Sequence, residues 1–276
     1  MKFDIRTPDS AFEFIMNFFN ITGPAFIDEY IIQCNNCFDE FWEKHLDYID
    51  SIDIDSIQYM AFHVTSNWDE CAGIKANGIR NLQEVLSEKN ELTNLLLKYG
   101  VQFDVDNKIL INGDKIIDIN YAKYREKYDL SSYEQKIQGV AHKIYYDYQV
   151  NGFFSHHDIL HYGTEIHIQP EFLSNLSELL PHICEAVNIW RKKSKGYIVT
   201  FLADFDQFEY SSFYNNEYEY QDDETNRIKL KKWIIKNAIY RSFQSTDDHT
   251  EIFAYIDKAT IIKPEQIVEY KEIVVY

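Results

Sequence analysis

The chain is 276 residues long and carries 45 acidic against 27 basic side chains, a formal charge of −18 at neutral pH with its nine histidines uncharged. With 45% hydrophobic residues, 16% aromatics, nine Gly and five Pro, it has ample material for a packed core, so disordered, fibrous and low-complexity classes are excluded. The negative excess opposes a phosphate backbone, which leaves only a local basic patch as a route to nucleic acid. No apolar run approaches the roughly 18 residues of a membrane span, and Met1-Lys2-Phe3-Asp4 does not open a secretory signal, so a cytoplasmic location and no membrane partner are expected. Four cysteines (Cys34, Cys37, Cys71, Cys184) in a chain of this length do not suggest a disulfide framework, and free thiols are expected.

In chain order, Phe12, Ile15, Met16 and Phe19 recur at helical spacing behind Asp9 or Ser10 as a cap. A second helix is expected after Gly23-Pro24, because Ile27, Tyr30, Ile31, Cys34, Phe38, Phe41 and Trp42 make one broad stripe. These two form a helical N-terminal extension over 1–55. The period then changes: 57–65, rich in β-branched and aromatic residues, reads as a strand. Asp69 can cap a short helix through Ile74 and Ala76 that ends at Gly78, with Ile79 as its hydrophobic contact. Residues 88–130 read as an inserted module made of a helix at 91–99, closed by Gly100, and strands at 101–105, 108–111 and 115–119. Asp106-Asn107 suits the first hairpin turn because both residues tolerate left-handed backbone.

A helix carrying Ile137, Val140, Ala141, Ile144 and Tyr148 leads to Asn151-Gly152-Phe153-Phe154-Ser155 and then His156-His157-Asp158-Ile159-Leu160-His161-Tyr162. Pro170 and Glu171 open a further helix. Residues 197–203 read as an apolar strand, 217–224 as an acidic loop, 227–241 as a basic amphipathic helix, 251–256 as a strand and 266–276 as the last strand. The basic runs Arg191-Lys192-Lys193 and Lys229-Leu230-Lys231-Lys232 are solvated helix faces or a local patch for an RNA, a DNA or an acidic protein.

Three pieces in this order, Phe62-His63-Val64-Thr65 ending a strand before a short helix and Gly78-Ile79, Gly152-Phe153-Phe154-Ser155 with Tyr162 beyond, and Thr250-Glu251-Ile252 opening a late strand, resemble the ADP-ribosyltransferase superfamily. The likeness is to its His-aromatic-Glu branch, and within it to bacterial toxin and phage-defence enzymes such as the DarT type. It covers about 57–87 and 133–276. The resemblance implies an α+β fold with a split two-sheet core, making 56–276 a catalytic domain. It further implies a mono-ADP-ribosyltransferase that uses NAD as substrate and a protein or nucleic acid as acceptor, with an antitoxin or regulatory partner.

By resemblance, Glu251 is the catalytic carboxylate and His63 bonds a ribose hydroxyl on the adenosine side. Thr65 supports the same region, the backbone at Val64 holds the nicotinamide amide, and Phe154, with Ser155 beside it, and Tyr162 enclose the nicotinamide ring. The sequence departs from the family at Val64, where Gly or Tyr is usual, at Phe153-Phe154 in place of a tyrosine, and at His249, two residues before Glu251. The segment 242–250 should be the loop that meets the acceptor.

Two other classes fit parts of the sequence. His157 and His161 stand at i and i+4 around Asp158, with Glu165 four residues on, which would suit a metal-dependent hydrolase if this stretch were helical. Cys34-x-x-Cys37 lacks a second pair and reads as buried structural cysteine. The remaining class is a non-catalytic interaction protein with an aromatic surface.

Overall fold

The computed structural model describes residues 1–163, 165–213, 224–244 and 251–274. Thr7 accepts from the backbone of Ser10, Ser10 answers to the backbone of Thr7, and Pro8 occupies the first turn of helix α1 (Pro8–Phe19), following the short strand β1 (Lys2–Phe3). The cap is therefore Thr7, not Asp9 or Ser10; proline pre-sets the backbone at that first position. The long second helix is broken into α2 (Gly23–Ile27), a π-helical stretch Asp28–Gln33, and α3 (Phe38–Lys44), followed by α4 (Leu46–Ser51). The break falls where Asn35 and Asn36 both adopt positive φ, of 50° and 57°, a conformation asparagine tolerates and a helix cannot continue through.

Next come β2 (Gln58–Asn67), α5 (Ala72–Asn77), α6 (Leu82–Ser87), α7 (Glu91–Lys98), β3 (Val101–Asp104), β4 (Ile109–Asn112) and β5 (Lys115–Asp118). They are followed by α8 (Ser132–Tyr145), β6 (Asn151–Ser155), α9 (Glu171–Leu179), α10 (Cys184–Lys193) and β7 (Lys195–Asp204). The chain ends with α11 (Glu224–Ser242), β8 (Ile252–Tyr255) and β9 (Ile267–Ile273). The class is α+β. Strands outside 101–118 follow the order β8-β6-β2-β7-β9 in a single six-stranded sheet, with β1 parallel to β2. The second sheet is the antiparallel meander β3-β4-β5, so it arises from the segment expected to be an insertion and not from a split core. No described helix is long and apolar enough to cross a membrane. The expected acidic loop at 217–224, apart from Glu224 at the head of α11, and most of the expected acceptor loop, including His249, lie outside the described residues.

The chain divides into two compact units. The first holds 1–62, 151–157 and 201–257, so the N-terminal helices belong to a shared core and are not an appendage. Rings dominate that core. Phe3 meets Phe14 edge-on at 5.2 Å and Phe154 at 5.9 Å; Phe154 meets Phe208 at 5.2 Å and Phe213 at 5.6 Å; Phe213 meets Trp233 at 5.2 Å. Offset and edge-to-face pairs of this kind add about 0.5–1.5 kcal/mol each beyond area burial. Helix α11 lies against α1, and three of its cations are committed inside the unit. Lys231 donates to the carbonyls of Ile49 and Asp50 at 2.9 and 3.0 Å, Lys232 pairs with Asp39 at 2.8 Å, and Arg227 with Asp55 at 3.0 Å. Burial holds the Lys231 ammonium below its ordinary pKa. This stretch of the basic run docks helix termini and loops of its own chain.

The second unit holds 63–150, 158–200 and 258–276. Its core joins Leu95 and Leu96 of α7, Leu110 of β4, Val140 and Ile144 of α8, Leu173 and Leu176 of α9 and Trp190 of α10. The 88–130 segment therefore shares one core with the helices that follow it. Capping boxes at Asn81/Glu84, Asn90/Thr93 and Ser131/Glu134 start α6, α7 and α8. Near the edge of this core, α5 stops at Gly78, whose φ of +81° and ψ of −176° are almost exclusive to glycine. A Cβ there would collide with the Ile262 carbonyl, which pairs with the amide of Ile79 at 2.8 Å.

Both constraints act at once on Gly78. Gly78→Ala is expected to destabilise the protein by about 2–4 kcal/mol, read as a lower urea midpoint with unchanged slope; a midpoint within error of the parent would show that the turn relaxes freely.

Candidate functional site

The end of β2 is shaped by its own side chains. Asn67 Oδ1 accepts from the amides of Asp69 and Cys71 at 3.0 and 2.6 Å, which folds the chain back through the left-handed pair Glu70 and Cys71. The expected cap at Asp69 is displaced: the N-cap of α5 is Cys71, without a side-chain cap bond, and Asp69 Oδ2 accepts from the Gly73 amide in the first turn at 2.8 Å. Burial pushes the Cys71 thiol up to about 12, so it stays protonated and unreactive at neutral pH. Strand, turn, α5 and Gly78-Ile79 thus form one continuous wall.

That wall encloses a cavity of about 290 Å³ in the second unit, lined among others by His63, Thr65, Trp68, Asp69, Ile79, Arg80, Gln149 and Trp190. Two tryptophans are among its lining: Trp68 and Trp190 meet edge-on at 5.8 Å, and Trp190 Nε1 donates to Ser66 Oγ at 3.0 Å in a buried bond. Lys193 lies 4.6 Å over the Trp68 ring, a cation–π contact, and Arg191 pairs with Glu165 at 3.3 Å. The charge balance of the lining is acidic, with Asp69, Glu91 and Asp147 against Arg80, and Arg80 itself pairs with Glu88. Asp69 Oδ1 and Gln149 Oε1 are buried acceptors without a hydrogen-bond partner. An unmet buried acceptor costs about 1–3 kcal/mol, so this lining favours a ligand that donates N–H or O–H groups.

The remaining expected site residues fall elsewhere. Val64 is buried, so only its backbone can serve a ligand. Phe154 is 0% exposed and embedded in the aromatic core of the first unit. The expectation of a cofactor wall there is corrected: the ring has no free face. Ser155 is also buried, with Oγ lacking a partner. Tyr162 is half-buried after a 3₁₀ turn, Ile159–His161, and does not line the cavity of His63 and Thr65.

In the first unit, Glu251 stands just before β8 with its side chain 41% exposed, and its Oε1 lies 2.8 Å from Nε2 of His156, an ion-pair distance outside hydrogen-bond geometry; the His156 side chain is 1% exposed. His156 was not singled out in the sequence. The only signal was its place directly after the Gly-Phe-Phe-Ser strand.

The helix needed to put His157 and His161 on one face does not form. Asp158 caps the single turn Ile159–His161 and contacts His161 Nδ1 at 2.8 Å, while Glu165 is engaged by Arg191. Among the described residues, no group of three or more His, Cys, Asp or Glu could hold a metal ion. All four cysteines are free thiols, with Cys34 buried and Cys37 half-buried.

No protein-family model matches the sequence, and no curated protein or solved structure is significantly similar to it.

The Trp190–Ser66 bond ties α10 to the strand that carries Thr65. Ser66→Ala leaves the indole N–H unmet in a buried wall and is expected to cost about 1–3 kcal/mol, followed by tryptophan fluorescence in guanidinium. An unchanged unfolding curve would show that the bond contributes nothing to the cavity wall.

Proposed function

We propose that the protein is an NAD-dependent mono-ADP-ribosyltransferase that moves ADP-ribose to a macromolecular acceptor. The observation that supports this reading is the cavity of the second unit, bounded by His63 and Thr65, which the resemblance assigns to NAD, and by the Gly78-Ile79 turn that follows the histidine strand. An indole-bearing lining and unpartnered acceptors suit a planar, amide-bearing heterocycle with hydroxylated sugars. With Phe154 committed to the core, Trp68 and Trp190 are among the aromatic side chains that line this cavity.

In the proposed reaction the bond between the nicotinamide nitrogen and the ribose anomeric carbon breaks. Its electron pair leaves with nicotinamide, which becomes neutral. Positive charge then develops on the sugar, and the Glu251 carboxylate stabilises it electrostatically. A nucleophilic atom of the acceptor attacks the anomeric carbon and loses its proton. Water attacking instead gives NAD hydrolysis by the same route.

Mass spectrometry of purified protein with NAD and a cell lysate should find released nicotinamide and ADP-ribose adducts. Release without adducts would identify a hydrolase, and no release from folded protein would overturn the NAD reading. Glu251→Gln keeps size and removes charge, so it is expected to retain NAD binding by calorimetry and lose about 10²–10³ in turnover; near-normal turnover would remove Glu251 from the role. Thr65→Trp should occupy the cavity and abolish NAD binding without unfolding the protein, whereas intact binding would place NAD elsewhere.

A further inference from the structure

Strands β6 and β8 run antiparallel, pairing Asn151 with Tyr255, Gly152 with Ala254 and Phe153 with Phe253. The next matched pair is Ser155 with Ile252, so Phe154 is an extra residue on β6 and the register advances by one. Bulges of this kind re-aim side chains beyond them. Continued in the shifted register, His156 falls opposite Glu251; without the bulge, Ser155 would stand there and His156 would face Thr250. The bulged residue itself is held by Phe3, Phe208, Phe213 and Trp233 in the core, which keeps the shift in place.

The imidazole brought to Glu251 is rigidly housed. Its side chain is 1% exposed, the Phe153 ring meets it edge-on at 4.7 Å, and the His157 ring stacks on it at 5.6 Å with planes 9° apart. Glu251 is by contrast 41% exposed. A half-exposed carboxylate samples several rotamers unless something fixes it.

The geometry points to His156 as the positioning residue of Glu251: the buried imidazole holds Oε1 and leaves the second carboxylate oxygen for the developing sugar cation. This rests on the reading of Glu251 as the catalytic carboxylate of NAD cleavage. The bulge at Phe154 is then the device that brings the two side chains into register. Precise placement of a charged group is worth about a hundredfold in rate when it is lost by a shift of roughly 1 Å.

The test compares nicotinamide release by His156→Phe, His156→Gln, Glu251→Gln and the double variant His156→Phe/Glu251→Gln, with folding followed by circular dichroism. His156→Phe is expected to lose about a hundredfold in kcat with KM for NAD unchanged. His156→Gln, which keeps an N–H donor, should recover part of that loss. The double variant should be no slower than Glu251→Gln alone, because the two residues act as a unit. An unchanged kcat in His156→Phe, a loss confined to KM, or losses that multiply in the double variant would overturn the assignment.

Long-range ¹H–¹⁵N spectra of the histidine rings give an arm independent of turnover. Glu251→Gln should shift the Nε2 resonance of His156, and an unmoved resonance would overturn the pairing itself. If the parent releases no nicotinamide, the NAD reading fails while these spectra still decide whether His156 holds Glu251.

Discussion

A single surplus residue in β6 governs what the first unit can present. Phe154 must be absorbed somewhere when β6 pairs with β8, and the aromatic core absorbs it. Everything after it in β6 is displaced by one place relative to β8. Because side chains alternate across a strand, a one-residue shift exchanges which groups face each other. The cost of the lost ladder position is offset by burying a whole phenyl ring among other rings. A smaller residue at 154 would weaken both the core and the reason for the shift.

The second unit depends on a comparable backbone constraint at Gly78, where the helix leaves in a conformation that side chains forbid and the Ile262 carbonyl occupies the space a methyl group would need. Asn67 and Asp69 organise the other end of the same short helix through amide donors. Between these two ends lies the cavity wall. Backbone geometry and side-chain acceptors fix its two ends, while Trp68, Ile79, Leu82, Val85 and Trp190 supply an apolar lining.

Local signals were legible and pairwise ones were not. The strand through His63, the helix ended by Gly78, and the helix-plus-meander of 91–118 follow from periodicity, caps and turn residues within a few positions of each other. The helix break was also present in the sequence as Asn35-Asn36, but the apolar stripe running across it looked continuous. The bulge had no local signature: Phe153 and Phe154 are both apolar, and their partner strand lies about a hundred residues downstream. The role of His156 depends on that pairing, as the tie between Trp190 and Ser66 depends on contact across 124 positions. At Phe154 the sequence is ambiguous, because an aromatic residue in a motif and an aromatic residue in a core look alike until burial is known.

The lysines of α11 carry a consequence for kinetics. Lys231 and Lys232 are turned to carbonyls and a carboxylate of their own chain, and Lys193 sits over Trp68. These cations offset nearby negative charge at short range and add little outward field in a chain of net charge −18. An anionic macromolecule approaching such a surface is slowed at long range, and added salt, by screening that repulsion, speeds the encounter. This is the reverse of the ionic-strength dependence of ordinary cationic nucleic-acid binders.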